Sequence, residues 1–77
     1  MSTNPDRIVN LLSNWLGGRL PTDELRRQLD EIGTDDLSPA AAEAVEELRG
    51  ELATAENGER GHLEMVARET LEAVALG

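Results

Sequence analysis

Apolar side chains recur every three or four residues through the second half of this chain, and that spacing admits little besides helix. After Ser38, Ala41, Ala44, Val45, Leu48, Leu52 and Ala55 fall on one helical face; before Gly77, Leu63, Val66, Ala67, Thr70, Leu71 and Val74 fall on one face of a second segment. Each segment is about 18 residues long, roughly 27 Å at 1.5 Å per residue. Helices of that length are insecure alone in water, so both stripes must be buried against something. Ser38-Pro39 supplies the start of the first segment. The Ser hydroxyl can accept a bond from a free backbone N–H, and Pro suits the first helical position. Glu56-Asn57-Gly58-Glu59-Arg60-Gly61 reads as the break between the two segments, with a single kinked helix as the alternative.

The first half reads as two shorter helices. Asn4-Pro5 opens one, with Asp6 near its positive end. Ile8, Leu11, Leu12, Trp15 and Leu16 form its stripe, which Val9 widens, and Gly17-Gly18 stops it. Past the turn Arg19-Leu20-Pro21, Thr22 is expected to cap the next helix. Asp23 and Glu24 lie in its first turn, and Leu25, Leu29 and Ile32 form a narrow stripe suited to a surface helix. Asp23 is placed to pair with Arg26 or Arg27. Gly33 ends this helix, and Leu37 is expected to pack beneath the turn Thr34-Asp35-Asp36. Strand signals are absent. The fold expected is all-α: a small four-helix domain over residues 1–77, with two short N-terminal helices and a longer C-terminal hairpin in one bundle.

With 77 residues there is room for one small core. Its apolar set is chiefly twelve Leu and nine Ala with a single aromatic residue, Trp15, so the core is thin. Domains of this size often draw only about 3–5 kcal/mol from the core and gain more by oligomerising. The absence of Cys removes disulfides and thiolate metal sites and suits a reducing cytoplasm. No apolar run reaches a membrane-spanning length, and Met1-Ser2-Thr3-Asn4-Pro5 lacks the basic and apolar regions of a signal peptide, so a cytoplasmic protein is expected. All seven basic residues are Arg, as the codon usage of a GC-rich bacterial genome favours. The net charge of −9 opposes nucleic acid and anionic membrane and is compatible with a basic protein surface.

Few residues suggest bond-making chemistry. One His and no Cys leave no hydrolytic triad, and Gly17-Gly18 reads as a helix cap rather than a phosphate cradle. Asp30, Glu31, Asp35 and Asp36 lack the alternating oxygen ligands of a calcium loop. Glu59 and His62 have the Glu-x-x-His spacing that places a carboxylate and an imidazole one turn apart. That spacing resembles the ferritin-like di-iron proteins, which implies a metal-binding helical oligomer; a two-fold dimer would supply two such pairs. Glu31-Ile32-Gly33-Thr34-Asp35-Asp36-Leu37 resembles the segment before the recognition helix of acyl carrier proteins. In that family a Ser carries the prosthetic group, whereas Asp36 stands at its position here and cannot form the phosphodiester. Neither a cofactor nor a bound metal is expected.

The residues that stand out are those arranged to meet a partner. Glu43, Glu47 and Glu51 repeat at four-residue spacing with Glu46 beside them, and like charges so placed cost a few tenths of a kcal/mol each. A basic partner would relieve that cost. Met65 and Leu76 lie opposite the Leu63 and Val74 stripe, and Met suits adaptable contact surfaces. The expectation is a non-catalytic interaction or regulatory module that binds another protein. It is expected to form a homodimer, with the seam on the fourth helix and the acidic face outward. A metal-binding oligomer and a carrier-like or nucleic-acid-mimicking acidic protein are the alternatives.

Overall fold

A computed structural model of the chain describes residues 4–54 and 60–76. They form four helices: α1 (Asn4–Leu16), α2 (Thr22–Ile32), α3 (Pro39–Thr54) and α4 (Arg60–Leu76). Of the break expected at residues 56–61, residues 56–59 lie outside the described residues, and Arg60 and Gly61 belong to the first turn of α4. α3 and α4 are separate helices side by side, so a single kinked helix is excluded. Their direction follows from two cross-contacts. Thr70 reaches the Ala44 carbonyl, and His62 reaches Glu51, so residue numbers rise along one helix as they fall along the other. α1 and α2 are likewise antiparallel, tied by Trp15 to Thr22 at one end and by Asn4 to Asp36 at the other. Each helix packs on the next in sequence, and α4 closes the ring against α1.

The buried side chains follow the apolar spacing closely. Ile8, Leu11, Leu12 and Trp15 come from α1, Leu25 and Leu29 from α2, Ala41, Val45, Leu48 and Leu52 from α3, and Leu63, Val66, Ala67 and Val74 from α4. Leu20, Ile32, Leu37 and Leu71 pack around this cluster, so Leu37 does lie beneath the α2–α3 turn. α2 contributes two fully buried leucines from its narrow stripe and leaves Asp23, Arg26, Arg27 and Asp30 outside. Thr70 is the buried polar side chain, and its hydroxyl is shared between the Val66 carbonyl at 2.8 Å and the Ala44 carbonyl at 3.2 Å. That sharing lets α3 and α4 approach closely without leaving a polar atom unsatisfied.

Gly33 ends α2 as expected, at φ 73° with its N–H on the Leu29 carbonyl, and two further helix ends match their sequence signals while one does not. Ser38 Oγ accepts the Ala41 N–H at 3.2 Å, as a cap should. At the end of α1, Arg19 donates to the Asn14 carbonyl and Gly18 to the Trp15 carbonyl, with Gly18 at φ 77°. This is a Schellman cap, and its left-handed residue favours Gly. Thr22, by contrast, is not the cap of α2. Pro21 holds that position in extended conformation with no side-chain cap bond, and Thr22 is the first helical residue. Its hydroxyl accepts the Trp15 indole N–H at 3.0 Å instead. A buried indole donor is costly to leave unmade, and that requirement outweighs the cap.

Arg60 completes the same corner. Its guanidinium lies 4.4 Å from the centroid of the Trp15 ring and donates to the Trp15 carbonyl at 2.9 Å. Glu64 holds it from the next turn at 2.9 Å. A cation in the first turn of α4 opposes that helix's dipole, yet the same charge sits at the negative end of α1, where it is favourable.

Two measurements test this account. Leu48 is fully buried, so Leu48→Ala should cost about 2–5 kcal/mol in chemical denaturation, enough to bring a domain this small close to unfolding; an unchanged midpoint would remove Leu48 from the core. Arg60→Ala should cost about 1–2 kcal/mol through the lost cation–π contact and shift the emission of Trp15, the only fluorescent aromatic side chain in the chain, towards the red. Unaltered emission would show that Arg60 does not cover the ring.

Candidate functional site

The outward faces of α3 and α4 carry the residues singled out for a partner, and the structure sorts them. On α3, Ala41, Val45, Leu48 and Leu52 turn inward. Helical spacing then places Pro39, Ala40, Glu43, Glu46, Glu47, Gly50, Ala53 and Thr54 on the opposite side, and all are exposed. Glu51 lies at the edge towards α4 and is half-buried.

These carboxylates are not equivalent. Glu46 accepts Arg49 at 2.7 Å, and Arg49 also reaches across to Asp30 of α2 at 2.7 Å. The bond to Asp30 is the leading reason the Arg49 pKa is raised, with the charge of Glu46 adding to it against partial burial. Glu51 accepts His62 Nε2 at 3.0 Å across the hairpin. Glu43 and Glu47 form no hydrogen bond or ion pair among the described residues. They stand four residues apart, one turn of helix, with no cation to offset them.

The contrast with α2 is instructive. There Arg27 sits between Glu24 and Glu31, bonded to both. The hydrogen bond from Arg27, followed by that from Gln28, holds the Glu24 carboxyl below its usual pKa. Asp23, expected to pair with Arg26 or Arg27, forms no ion pair among the described residues, and Arg27 is taken by Glu24 and Glu31 on its own ridge. Glu24 and Glu31 are thus compensated within their own helix, whereas Glu43 and Glu47 at the centre of the α3 face are not.

Gly50 lies amid that face. A Cβ built there would meet nothing within 4 Å, and its φ is not positive. The fold therefore gives this Gly neither a packing nor a conformational reason. Glycine in an exposed helix interior costs about 0.5–1 kcal/mol relative to Ala. Its absent side chain leaves the backbone beside Glu43, Glu46 and Glu47 open to close approach.

On α4 the two exposed large apolar side chains are Met65, 51% exposed, and Leu76, 82% exposed. They lie about three turns apart on one stripe, with Gly61 and Glu72 on it and Arg68 and Glu69 along its edges. Arg68, Glu69 and Glu72 are all exposed, and none has an ion-pair partner among the described residues.

The remaining candidates are placed as follows. Glu59 lies outside the described residues, and His62 has its Nε2 engaged by Glu51. Among the described residues no group of three or more His, Asp or Glu side chains converges as a metal site. Asp36, in the turn that resembles the carrier proteins, accepts the Asn4 amide at 2.7 Å. No helix among the described residues is long and apolar enough to cross a membrane. Sequence spacing did not foresee the Asp30–Arg49–Glu46 bridge between α2 and α3, because nothing local relates Asp30 to Arg49.

No protein-family model, curated protein or solved structure matches the chain. The functional reading rests on the chain's own residues.

One substitution checks the standing of Gly50. Gly50→Ala should raise the unfolding free energy by about 0.5–1 kcal/mol. A loss of stability would mean that the fold itself requires Gly there.

Proposed function

We propose that the protein is a non-catalytic binding module whose exposed α3 face receives a basic surface of another protein. The observation that carries this reading is the pair Glu43 and Glu47, exposed and uncompensated while their neighbours Glu46 and Glu51 are engaged within the chain. Like charges one turn apart disfavour the free helix, and a Lys or Arg side chain bridging them would reverse that sign. The net charge of −9 adds a long-range field that speeds the approach of such a partner and disfavours nucleic acid. Gly50 deepens the face where a partner's backbone or aromatic side chain would come nearest. The outer stripe of α4, with Met65 and Leu76, supports self-association as the second part of the reading, in keeping with a thin core.

Affinity capture from the source cytoplasm is the direct test, made with wild type and with Glu43→Arg/Glu47→Arg. Neither side chain makes a hydrogen bond or ion pair among the described residues, so the variant should unfold at or above the wild-type midpoint. The expected result is a basic protein retained by wild type, released by raised salt and lost from the variant. Retention that ignores both the variant and the salt would overturn the assignment of the α3 face.

A further inference from the structure

The outer stripe of α4 meets itself without opposed like charges in one of its two symmetric orientations. Two contacts fix its edges. Arg60 touches Trp15 of α1, and Glu64 and Arg68 follow it at four-residue spacing, so Arg68 lies on the edge towards α1. His62 touches Glu51 of α3, and Glu69 and Ala73 continue that side, so Glu69 lies on the edge towards α3. Between these edges run Gly61, Met65, Glu72 and Leu76.

A second copy can meet this stripe in parallel or antiparallel fashion about a two-fold axis. In the parallel case the centre of the stripe faces itself, so Glu72 meets Glu72, while Arg68 on one edge meets Glu69 on the opposite edge of the second copy. Two carboxylates then oppose each other at the centre of the seam. In the antiparallel case an axis passing midway between Met65 and Leu76, beside Thr70 and Leu71, lays Met65 of each copy on Leu76 of the other. The same axis brings Arg68 against Glu72 of the other copy, within about one residue rise of exact register. Both of the large apolar side chains that the fold leaves exposed are then covered, and an Arg without an intramolecular partner gains a carboxylate. Glu69 falls on the flank, beside Ala73 of the second copy rather than facing a carboxylate.

We infer that the chain pairs with a second copy through α4 in the antiparallel register that sets Met65 on Leu76 and Arg68 on Glu72. This inference rests on the self-association reading above and adds its geometry. The seam is one helix wide, so the dimer is a weak one that forms in the micromolar range. The excess negative charge of two such chains opposes it, and added salt tightens it.

The absence of Cys makes cross-linking a clean readout of register. Full-length Met65→Cys and Leu76→Cys proteins are oxidised separately and as an equimolar mixture, with light scattering on wild type at several salt concentrations alongside. Wild type is expected to dimerise at high micromolar concentration, and the mixture to give mainly Met65→Cys to Leu76→Cys links. Arg68→Glu and Glu72→Arg should each weaken the dimer roughly fivefold or more, and the double reversal should restore it. A chain that stays monomeric at high micromolar concentration in every buffer overturns the self-association reading, and the register with it. A dimer whose links join Met65→Cys to itself, or whose charge reversals are not mutually compensating, leaves self-association standing and overturns the antiparallel register.

Discussion

The contact on which the arrangement depends is the burial of Trp15 beneath Arg60. One side chain here does the work that several aromatic residues share in larger domains. Trp15 is fully buried, and its indole N–H needs a partner that the core cannot supply. Thr22 provides it from the first turn of α2, which fixes the exit of α1 against the entry of α2. Arg60 covers the ring face and caps the α1 carbonyl from the first turn of α4, which closes the ring of helices at the same corner. Three of the four helices are therefore registered by one residue. At the opposite end of the first hairpin the polar tie between α1 and the α2–α3 turn is the exposed Asn4–Asp36 bond, so the buried Trp15 corner bears more of the demand for a unique geometry.

Charge is divided between structure and surface in a legible way. Arg27, Arg49 and Arg60 are tied into the fold, each with at least one carboxylate. Arg49 in particular joins α2 to α3, and its place between Asp30 and Glu46 depends on the bidentate reach of a guanidinium, which Lys would not reproduce. Exposed pairs of this kind each contribute at most about 1 kcal/mol, so they select an alignment more than they stabilise it. What remains after these pairings is strongly negative, and at the middle of the α3 face it lacks any local compensation.

Much of the fold could be read from spacing alone, because an amphipathic helix announces itself every three or four residues. The inward sets from Ile8 to Trp15, from Ala41 to Leu52 and from Leu63 to Val74 hold the buried residues observed, with Leu16, Ala44 and Leu71 half-buried and Ala55 outside the described residues. The Ser38 cap and the Gly18 turn were equally plain, since each is decided by its own backbone. Thr22 misled because a distant donor competed for its hydroxyl, and the competition is invisible until α1 and α2 are side by side. Arg60 misled in the same way. Within its own segment it looks like part of an acidic and glycine-rich break, and only the nearness of Trp15 gives it a role. The candidate faces were legible as faces, but not in detail. Sequence places Glu46 and Glu51 alongside Glu43 and Glu47, whereas the cross-helix partners Asp30–Arg49 and His62 distinguish them.

The two interactions proposed for the outer faces would respond to ionic strength with opposite sign, which separates them physically. The radius of gyration is 11.3 Å, close to the Debye length of about 10 Å at 0.1 M salt. Charges on one face of the molecule are therefore still sensed at the other when salt is low, and the excess negative charge acts as one field. That field would attract the basic surface proposed for α3 and repel the second copy proposed for α4. Screening weakens the first interaction and strengthens the second. The Arg68 and Glu72 pairing inferred for the seam loses a little to the same screening, but it involves two local pairs against the mutual repulsion of two whole chains. A basic partner seated on Glu43 and Glu47 would do locally what salt does globally, by removing negative charge from the copy it binds. If both proposed interactions form, the field alone would couple them, with occupation of α3 favouring pairing through α4 and no change of shape required of either helix.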